Sequence, residues 1–363
     1  MTLHIFNPEH DIALASGLAN FTAPHAGRQL RHDLGFLPAV WAKEGDVVMV
    51  EDVEQAKRSW HKLSHRIKTL LGTESLLRAN REFTPGKPGV YSGQNYSVEP
   101  WGWNSALRAA LLRKGVSEEQ MPTLPQLQTI RELSHRRTAA TLLPKLRMEG
   151  TVGESFECRE ADEVEGLLQQ YGQLVMKAPW SSSGRGLRFL AVGRTPFSMQ
   201  ARWMHNVVSA QGSVMVEPYY NKVKDFGMEF HSDGQGGISY LGLSLFHTVN
   251  GAYTGNILAT EAAKRSMIST YIPDDLIENI KEKICCELGT VFNGSYRGPF
   301  GVDMMVCAGQ GNNGFLLHPC VEINLRRTMG HVAISLSPTD DDVRSVMRID
   351  YTDNNYLLKL TRL

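Results

Sequence analysis

The chain has 363 residues, enough for two or three packed units rather than one core. Lys+Arg and Asp+Glu both total 38, so the net charge is zero and nothing points to a polyanion such as nucleic acid as partner. With 42% hydrophobic and 21% charged residues the composition is ordinary globular; no run reaches the ~18 apolar residues of a membrane span, Met1-Thr2-Leu3-His4 lacks a signal peptide's basic start, and five cysteines without a CxxC pair read as reduced cytoplasmic thiols rather than a disulfide frame or zinc site.

Leu3-His4-Ile5-Phe6 predicts a first strand, followed by the polar turn Asn7 to Asp11. Val47 to Val50 predicts a second. The helix after it places Val53, Ala56, Trp60, Leu63, Ile67 and Leu70 on one stripe and stops at Gly72. Asn104 is placed to cap a helix carrying Leu107, Ala110 and Leu111, closed by Gly115. Strands alternating with helices predict an open α/β layer over 1–125, a candidate substrate domain, with its boundary at the prolines Pro122 and Pro125.

A helical stretch over 126–147 comes next, then a strand at Ser155 to Arg159 and a helix with Val164, Leu167, Leu168 and Tyr171 on one stripe. Leu174 to Lys177 reads as a strand, and Leu187 to Val192 as another; Ser181 to Gly186 forms the turn between them. Later strands are expected at Ser213 to Val216, Met228 to His231 and Ile238 to Phe246. Asp275 and Glu278 suggest a capping box on a helix that buries Leu276, Ile280, Ile284, Leu288 and Val291. There is no GxxxxGK[ST] loop, no GxGxxG fingerprint and no GxSxG elbow.

The segment Gly298 to Gly330 is the most informative. Gly301 to Val306 and Leu316 to Leu325 are strand-like, and the turn between them is rich in glycine and asparagine. Centred on Asn312-Asn313, that hairpin sets Asp303 opposite Glu322, and alternation puts Asn324 on the same face as Glu322. Two carboxylates facing each other across a strand pair repel unless a cation lies between them or water screens them. Three oxygen donors in register suit a hard cation such as Mg²⁺.

In order, Val175-Met176-Lys177, the Ser/Gly-rich turn, Val214-Met215-Val216-Glu217-Pro218, Gly301-Val302-Asp303 and Val321-Glu322-Ile323-Asn324 resemble the ATP-grasp family over about residues 134–330. The resemblance implies α/β and α+β architecture, with the open pre-ATP-grasp-like α/β domain followed by an N-lobe with a phosphate lid at 126–213. A C-lobe with hinge and metal site would occupy 214–363. It implies that Lys177 contacts the phosphates, that Ser181, Ser182, Ser183, Gly184, Arg185 and Gly186 form the lid, and that Glu217 lies at adenine with Asp225 at the ribose. Asp303, Glu322 and Asn324 would hold Mg²⁺, with Mn²⁺ an acceptable substitute. The family's early phosphate lysine is replaced here by His135-Arg136-Arg137, which makes Arg136 the candidate substitute, a planar fork in place of a point charge.

Most proteins of this family resemble carboxylate–amine ligases that form ADP and phosphate through an acyl phosphate. Arg326, on the Glu322 and Asn324 face, is the first candidate to hold the substrate carboxylate; Arg327 and Arg297 are the others. Asn7 to Asp11, Trp101 to Asn104 and His247 to Asn256 are candidate linings of the acceptor pocket. The expected partners are a small carboxylate and an amine or short peptide, with no nucleic acid or membrane and with a homodimer left open. A small-molecule kinase and a non-catalytic ATP-binding module are the competing readings.

Overall fold

The computed structural model of the chain describes residues 1–72, 81–181, 186–249, 252–309 and 314–363. Its first layer runs β1 (Thr2–Ile5), α1 (His10–Ser16), α2 (His25–Leu34), β2 (Val47–Val50), α3 (Val53–Leu71), β3 (Glu82–Pro85), β4 (Ser97–Pro100) and α4 (Ser105–Arg113). The sheet is parallel in the order β3-β2-β1-β4. Short, continuously apolar strands such as Val47–Val50 suit a sheet covered on both faces. Val48 and Val50 join Leu34, Leu63 and Ile67 on one side, while Leu3, Ile5 and Met49 join Leu111 on the other. The expected caps are present: Gly72 ends α3 at φ 64° and Asn104 accepts from the Leu107 N–H; Asp52, not anticipated, caps α3 by accepting from the Gln55 N–H.

The next segment holds α5 (Leu124–Leu133), α6 (Arg137–Leu146), β5 (Phe156–Cys158), α7 (Ala161–Tyr171), β6 (Gln173–Lys177), β7 (Leu187–Ala191), α8 (Ala201–Gln211) and β8 (Val214–Pro218). The strands pair antiparallel in the order β5-β8-β6-β7. The single helix expected over 126–147 is two helices. Ser134 Oγ donates back to the Ile130 carbonyl at 2.7 Å and the His135 ring accepts from the Arg137 N–H at 3.0 Å, local bonds that compete with the helical ladder. The break leaves Arg136 at the start of α6.

The remainder comprises β9 (Lys222–Ser232), β10 (Ile238–Ser244), β11 (Phe246–Val249), β12 (Ala252–Leu258), α9 (Glu261–Ser269), α10 (Asp274–Phe292), β13 (Gly298–Ala308), β14 (Phe315–Asn324), α11 (Met329–Ser335), β15 (Ser345–Thr352) and β16 (Asn355–Arg362). Two antiparallel sheets result, β10-β9-β13-β14 and β11-β12-β15-β16. The strand expected from Ile238 to Phe246 divides between them, with a bulge between Tyr240 and Gly242, and part of the polar His247 to Asn256 stretch is the β11–β12 hairpin. The expected capping box on α10 is replaced by Pro273 at the cap position, and Glu278 instead pairs with Arg265 and Lys281.

Alternation gives the β9–β13 sheet two unlike faces. Phe226, Met228, Phe230, Phe300, Val302 and Met304 face α10 in the largest core, together with Leu142 and Leu146 of α6. Asp225, Glu229, Asp303, Glu322 and Asn324 occupy the opposite face. The last sheet closes onto the first layer, since Leu258, Val332, Met347 and Leu360 share a core with Phe6, Leu34 and Val48. That shared core brings α1 up to the end of β14. Among the described residues no helix is long and apolar enough to cross a membrane, and all five cysteines are free thiols.

Candidate active site

Asp303 pairs directly with Glu322 across β13 and β14. The expected turn does not produce that pairing. Nearer the hairpin end Met305 faces His318 and Ala308 faces Phe315, so the register there differs from the one at Asp303. Between the two registers β13 supplies only Met304, whereas β14 supplies Pro319, Cys320 and Val321. A bulge at Pro319, which has no N–H to give the ladder, restores the carboxylate pairing. Asn312-Asn313, the expected turn centre, lies outside the described residues.

Asn324 faces Gly301 one step further along and donates from Nδ2 to Asp303 Oδ2 at 3.1 Å. Its Oδ1 accepts from Arg326 Nη2 at 2.9 Å. Arg326 in turn reaches Asp11 of α1 through two bonds of 2.8 Å, Nε to Oδ1 and Nη2 to Oδ2. Glu322 Oε1 lies 2.9 Å from Arg136 Nη2. Arg136 is buried rather than on a solvated helix face, and it also donates to the Ala178 carbonyl at 3.1 Å and to Ser181 Oγ at 3.4 Å. One guanidinium therefore ties the loop after β6 to the carboxylates of β14.

Lys177, at the end of β6, is buried and ion-paired with Glu217 of β8, Nζ to Oε2 at 2.5 Å. Ser155 adds a bond to the other Glu217 oxygen at 3.4 Å. Asp225 faces Met305, two positions along the Asp303 face, and is engaged by Lys222 at 2.6 Å and by Thr248. Of the expected lid, Ser181 sits against Arg136, and the Ala178 N–H donates to the Gly186 carbonyl; Ser182, Ser183, Gly184 and Arg185 lie outside the described residues. A narrow cleft, with room for about 10 Å³, opens here, lined by His10, Asp11, Ser181, Glu322 and Asn324.

Two of the three expected arginines are not part of this set. Arg327 turns toward the first layer, with its guanidinium 4.7 Å from the Trp41 ring centre and 3.4 Å from Glu99. Arg297 is exposed ahead of β13, beside the turn at Gly234. Two residues that the motif reading missed do belong. Asp11 is expected only as part of the Asn7 to Asp11 candidate lining, with no role at Arg326. Glu229 hides in the apolar run Phe226 to Phe230, although its alternation against Met228 and Phe230 marks it for the Asp303 face. It is 2% exposed and lies 2.9 Å from His331. Gly301 and Gly330 leave room for it, for a Cβ at Gly330 would stand 1.9 Å from Glu229 Oε1.

Burial first, and then the charges of Glu322 and Glu229, push the Asp303 carboxyl up to about 8, against the opposing pull of Arg326 and Asn324. At Asp11 burial works upward, but Arg326 holds the carboxyl below the usual range. Among the described residues no group of three or more His, Cys, Asp and Glu is gathered to hold a metal. Two carboxylates with one amide do fit a hard cation that retains waters. The fit requires Asn324 to make a half-turn of its amide, because Nδ2 now faces Asp303 and Arg326 holds the oxygen.

The sequence matches no protein-family model and no curated protein. Solved structures are similar in fold. The biotin carboxylase of Campylobacter jejuni, in a beta-gamma-ATP complex, is 12% identical with a TM-score of 0.52, over 98% of this chain and 77% of that one. The biotin carboxylase domain of the Hydrogenobacter thermophilus 2-oxoglutarate carboxylase, solved with MgADP, ADP and bicarbonate, is 12% identical with a TM-score of 0.50, over 88% and 72%. A parallel α/β layer, an antiparallel lobe bearing Lys177 and Glu217, and a second lobe bearing Asp303 and Glu322 follow one another in this chain, which has the ATP-grasp fold.

Proposed function

We propose that the protein is a Mg-ATP-dependent ligase that activates a carboxylate for attack by an amine or similar nucleophile and releases ADP and phosphate. The observation that carries this reading is the direct pairing of half-buried Asp303 with Glu322, tied through Arg136 to the loop after the Lys177 strand. Two facing carboxylates beside two buried cations describe a site for a divalent ion and a polyphosphate, and the ATP-grasp fold supports that assignment. When bound, Mg-ATP would supply the phosphoryl group that converts the carboxylate to an acyl phosphate.

The chain's own groups have separable roles. Asp303, Glu322 and the amide oxygen of Asn324 would ligate the cation. Lys177, freed in part from Glu217, and Arg136 would neutralise phosphate oxygens. Asp225 would take the ribose hydroxyls once released from Lys222. Arg326, held in place by Asp11, has donors on the carboxylate side of the cleft and would bind the substrate carboxylate and later its oxyanion. The five free thiols suit a reducing, cytoplasmic setting. The domain limits 1–125, 126–213 and 214–363 belong to the same proposal.

The test is ADP and phosphate release with Mg²⁺ over paired amino acids, short peptides and other carboxylates. Glu322→Gln is expected to reduce turnover about 100-fold or more while the protein stays folded. Undiminished turnover in that variant would remove the site, and ADP formation without free phosphate would mark a kinase instead.

A further inference from the structure

A second cavity, of about 160 Å³, lies in the first layer and shares no lining residue with the first cleft. It sits beyond the carboxyl ends of β1, β2 and β3, between α2 on one face of the sheet and α4 on the other. The strand order β3-β2-β1-β4 means that the chain builds outward from β1 in one direction and returns to its other side with β4. Open parallel sheets bind ligands in crevices outside the carboxyl ends of their strands, and this cavity lies outside three of them.

The lining combines an apolar wall with one acid, Glu51, and two bases, Arg31 and Lys114; Glu9 pairs with Arg31 from outside the lining. Phe6, Met49, Leu107 and Leu111 supply the wall. Arg31 lies between two carboxylates, bonding Glu9 through Nη1 and Glu51 through Nε at 2.9 Å. Only one Glu51 oxygen is used by that bond. Lys114 Nζ donates to the Gly86 carbonyl, a neutral group, so its charge has no carboxylate partner at contact distance among the described residues. Burial and the neighbouring Arg31 charge hold the Lys114 ammonium below its ordinary range. Glu9, Glu51, Arg31 and Lys114 sum to no net charge, which leaves the Lys114 ammonium and the second Glu51 oxygen as one donor and one acceptor without an ion-pair partner among the described residues. Such a layout complements a zwitterion rather than a simple anion.

We propose that this crevice binds an α-amino acid with an apolar side chain, its carboxylate on Lys114, its ammonium on Glu51 and its side chain against Phe6, Met49, Leu107 and Leu111. This site is separate from the nucleotide reading and is tested without nucleotide. L-Leucine and L-phenylalanine are titrated into the full chain by calorimetry and thermal shift. Glycine, 4-methylpentanoate and isoamylamine serve as probes lacking the side chain, the amine and the carboxylate respectively. Leucine is expected to bind at least tenfold more tightly than any of the three. Lys114→Met should cost leucine at least tenfold and leave isoamylamine unchanged; Glu51→Gln should do the same while sparing 4-methylpentanoate. Ala110→Phe fills the crevice and should abolish binding, with circular dichroism and the ligand-free melting temperature confirming the fold. The proposal fails if neither amino acid binds, if the truncated probes match leucine, or if binding ignores all three substitutions.

Discussion

Asp11 and Arg326, 315 positions apart in the chain, form a two-pronged ion pair in which both bonds are 2.8 Å. The pair crosses from α1 of the first layer to the end of β14, and the second Arg326 nitrogen also holds Asn324 Oδ1. The first layer therefore orients the arginine nearest the candidate metal ligands.

Asp11→Asn keeps the shape of the side chain and removes its charge. It leaves a partly buried guanidinium facing an amide, a change that breaks a buried pair and costs about 3 kcal/mol or more. We expect a lower urea midpoint and a turnover loss of about 10-fold or more, with most of the loss in kcat if Arg326 acts in the transition state. Unchanged stability and unchanged turnover together would show that Asp11 does not position Arg326.

Cation binding at the proposed Asp303 site is expected to depend on pH. With its carboxyl raised to about 8, the folded chain keeps a proton that the unfolded chain releases near the ordinary value of 3.8. Folded stability without cation therefore falls as pH rises through that window. A cation must displace the proton below about pH 8, so Mg-ADP affinity should rise by up to about tenfold per pH unit from pH 6 to pH 8. Calorimetry in buffers of different ionisation heat should detect the released proton. Asp303→Asn should abolish proton release; release of the same proton from that variant would place the ionisation elsewhere.

How far the sequence speaks depends on the range of the interaction. Alternation along one strand is enough to set Glu322 with Asn324, whereas the opposition of Asp303 to Glu322, expected from a turn centred on Asn312-Asn313, rests on a bulge between the two registers. The caps at Gly72 and Asn104 are local and readable for the same reason. The break at Ser134 to Arg136 is not, because hydrophobic period continues through it while side-chain bonds to the backbone end the helix. Periodicity and motif order also carry no information about which distant segments meet. Asp11 with Arg326, and α5 and α6 buried in the core of the β9–β13 sheet, follow from tertiary packing alone. Helices α8, α9 and α11 and the β15–β16 hairpin went unread, since they carry no motif to draw attention to them.

Gly330 is a sharp test of the space around Glu229. A Cβ there would meet Glu229 Oε1 at 1.9 Å and Ser244 Oγ at 2.5 Å, and both lie on buried side chains with little freedom to move. Gly330→Ala should destabilise the protein by about 1–3 kcal/mol, the usual cost of overpacking. Combining it with Glu229→Ala should recover part of that loss, a coupling that a double-mutant cycle in urea would measure. Strict additivity would mean that the two groups do not collide.

Three buried histidines should dominate acid unfolding. His10, His135 and His318 are at most 3% exposed, and burial above all lowers each to about 4. Unfolded histidine takes up its proton near 6.5, so between pH 6.5 and 4 the unfolded chain binds protons that the folded chain refuses. Stability is then fully present above pH 6.5 and lost as pH falls, each histidine contributing up to about 1.4 kcal/mol per pH unit. Asp303, held protonated in the fold across this window, opposes one of the three. His318 gives the cleanest measurement, because neither ring nitrogen has a hydrogen-bond partner and its ring packs beneath Gly153, where a Cβ would stand 2.9 Å from Nε2. His318→Leu removes no bond, so it should leave stability at pH 7.5 nearly unchanged and raise it at pH 5. Urea melts from pH 4.5 to 7.5 decide the matter: parallel pH profiles for the wild type and the variant would mean that His318 protonates as readily folded as unfolded.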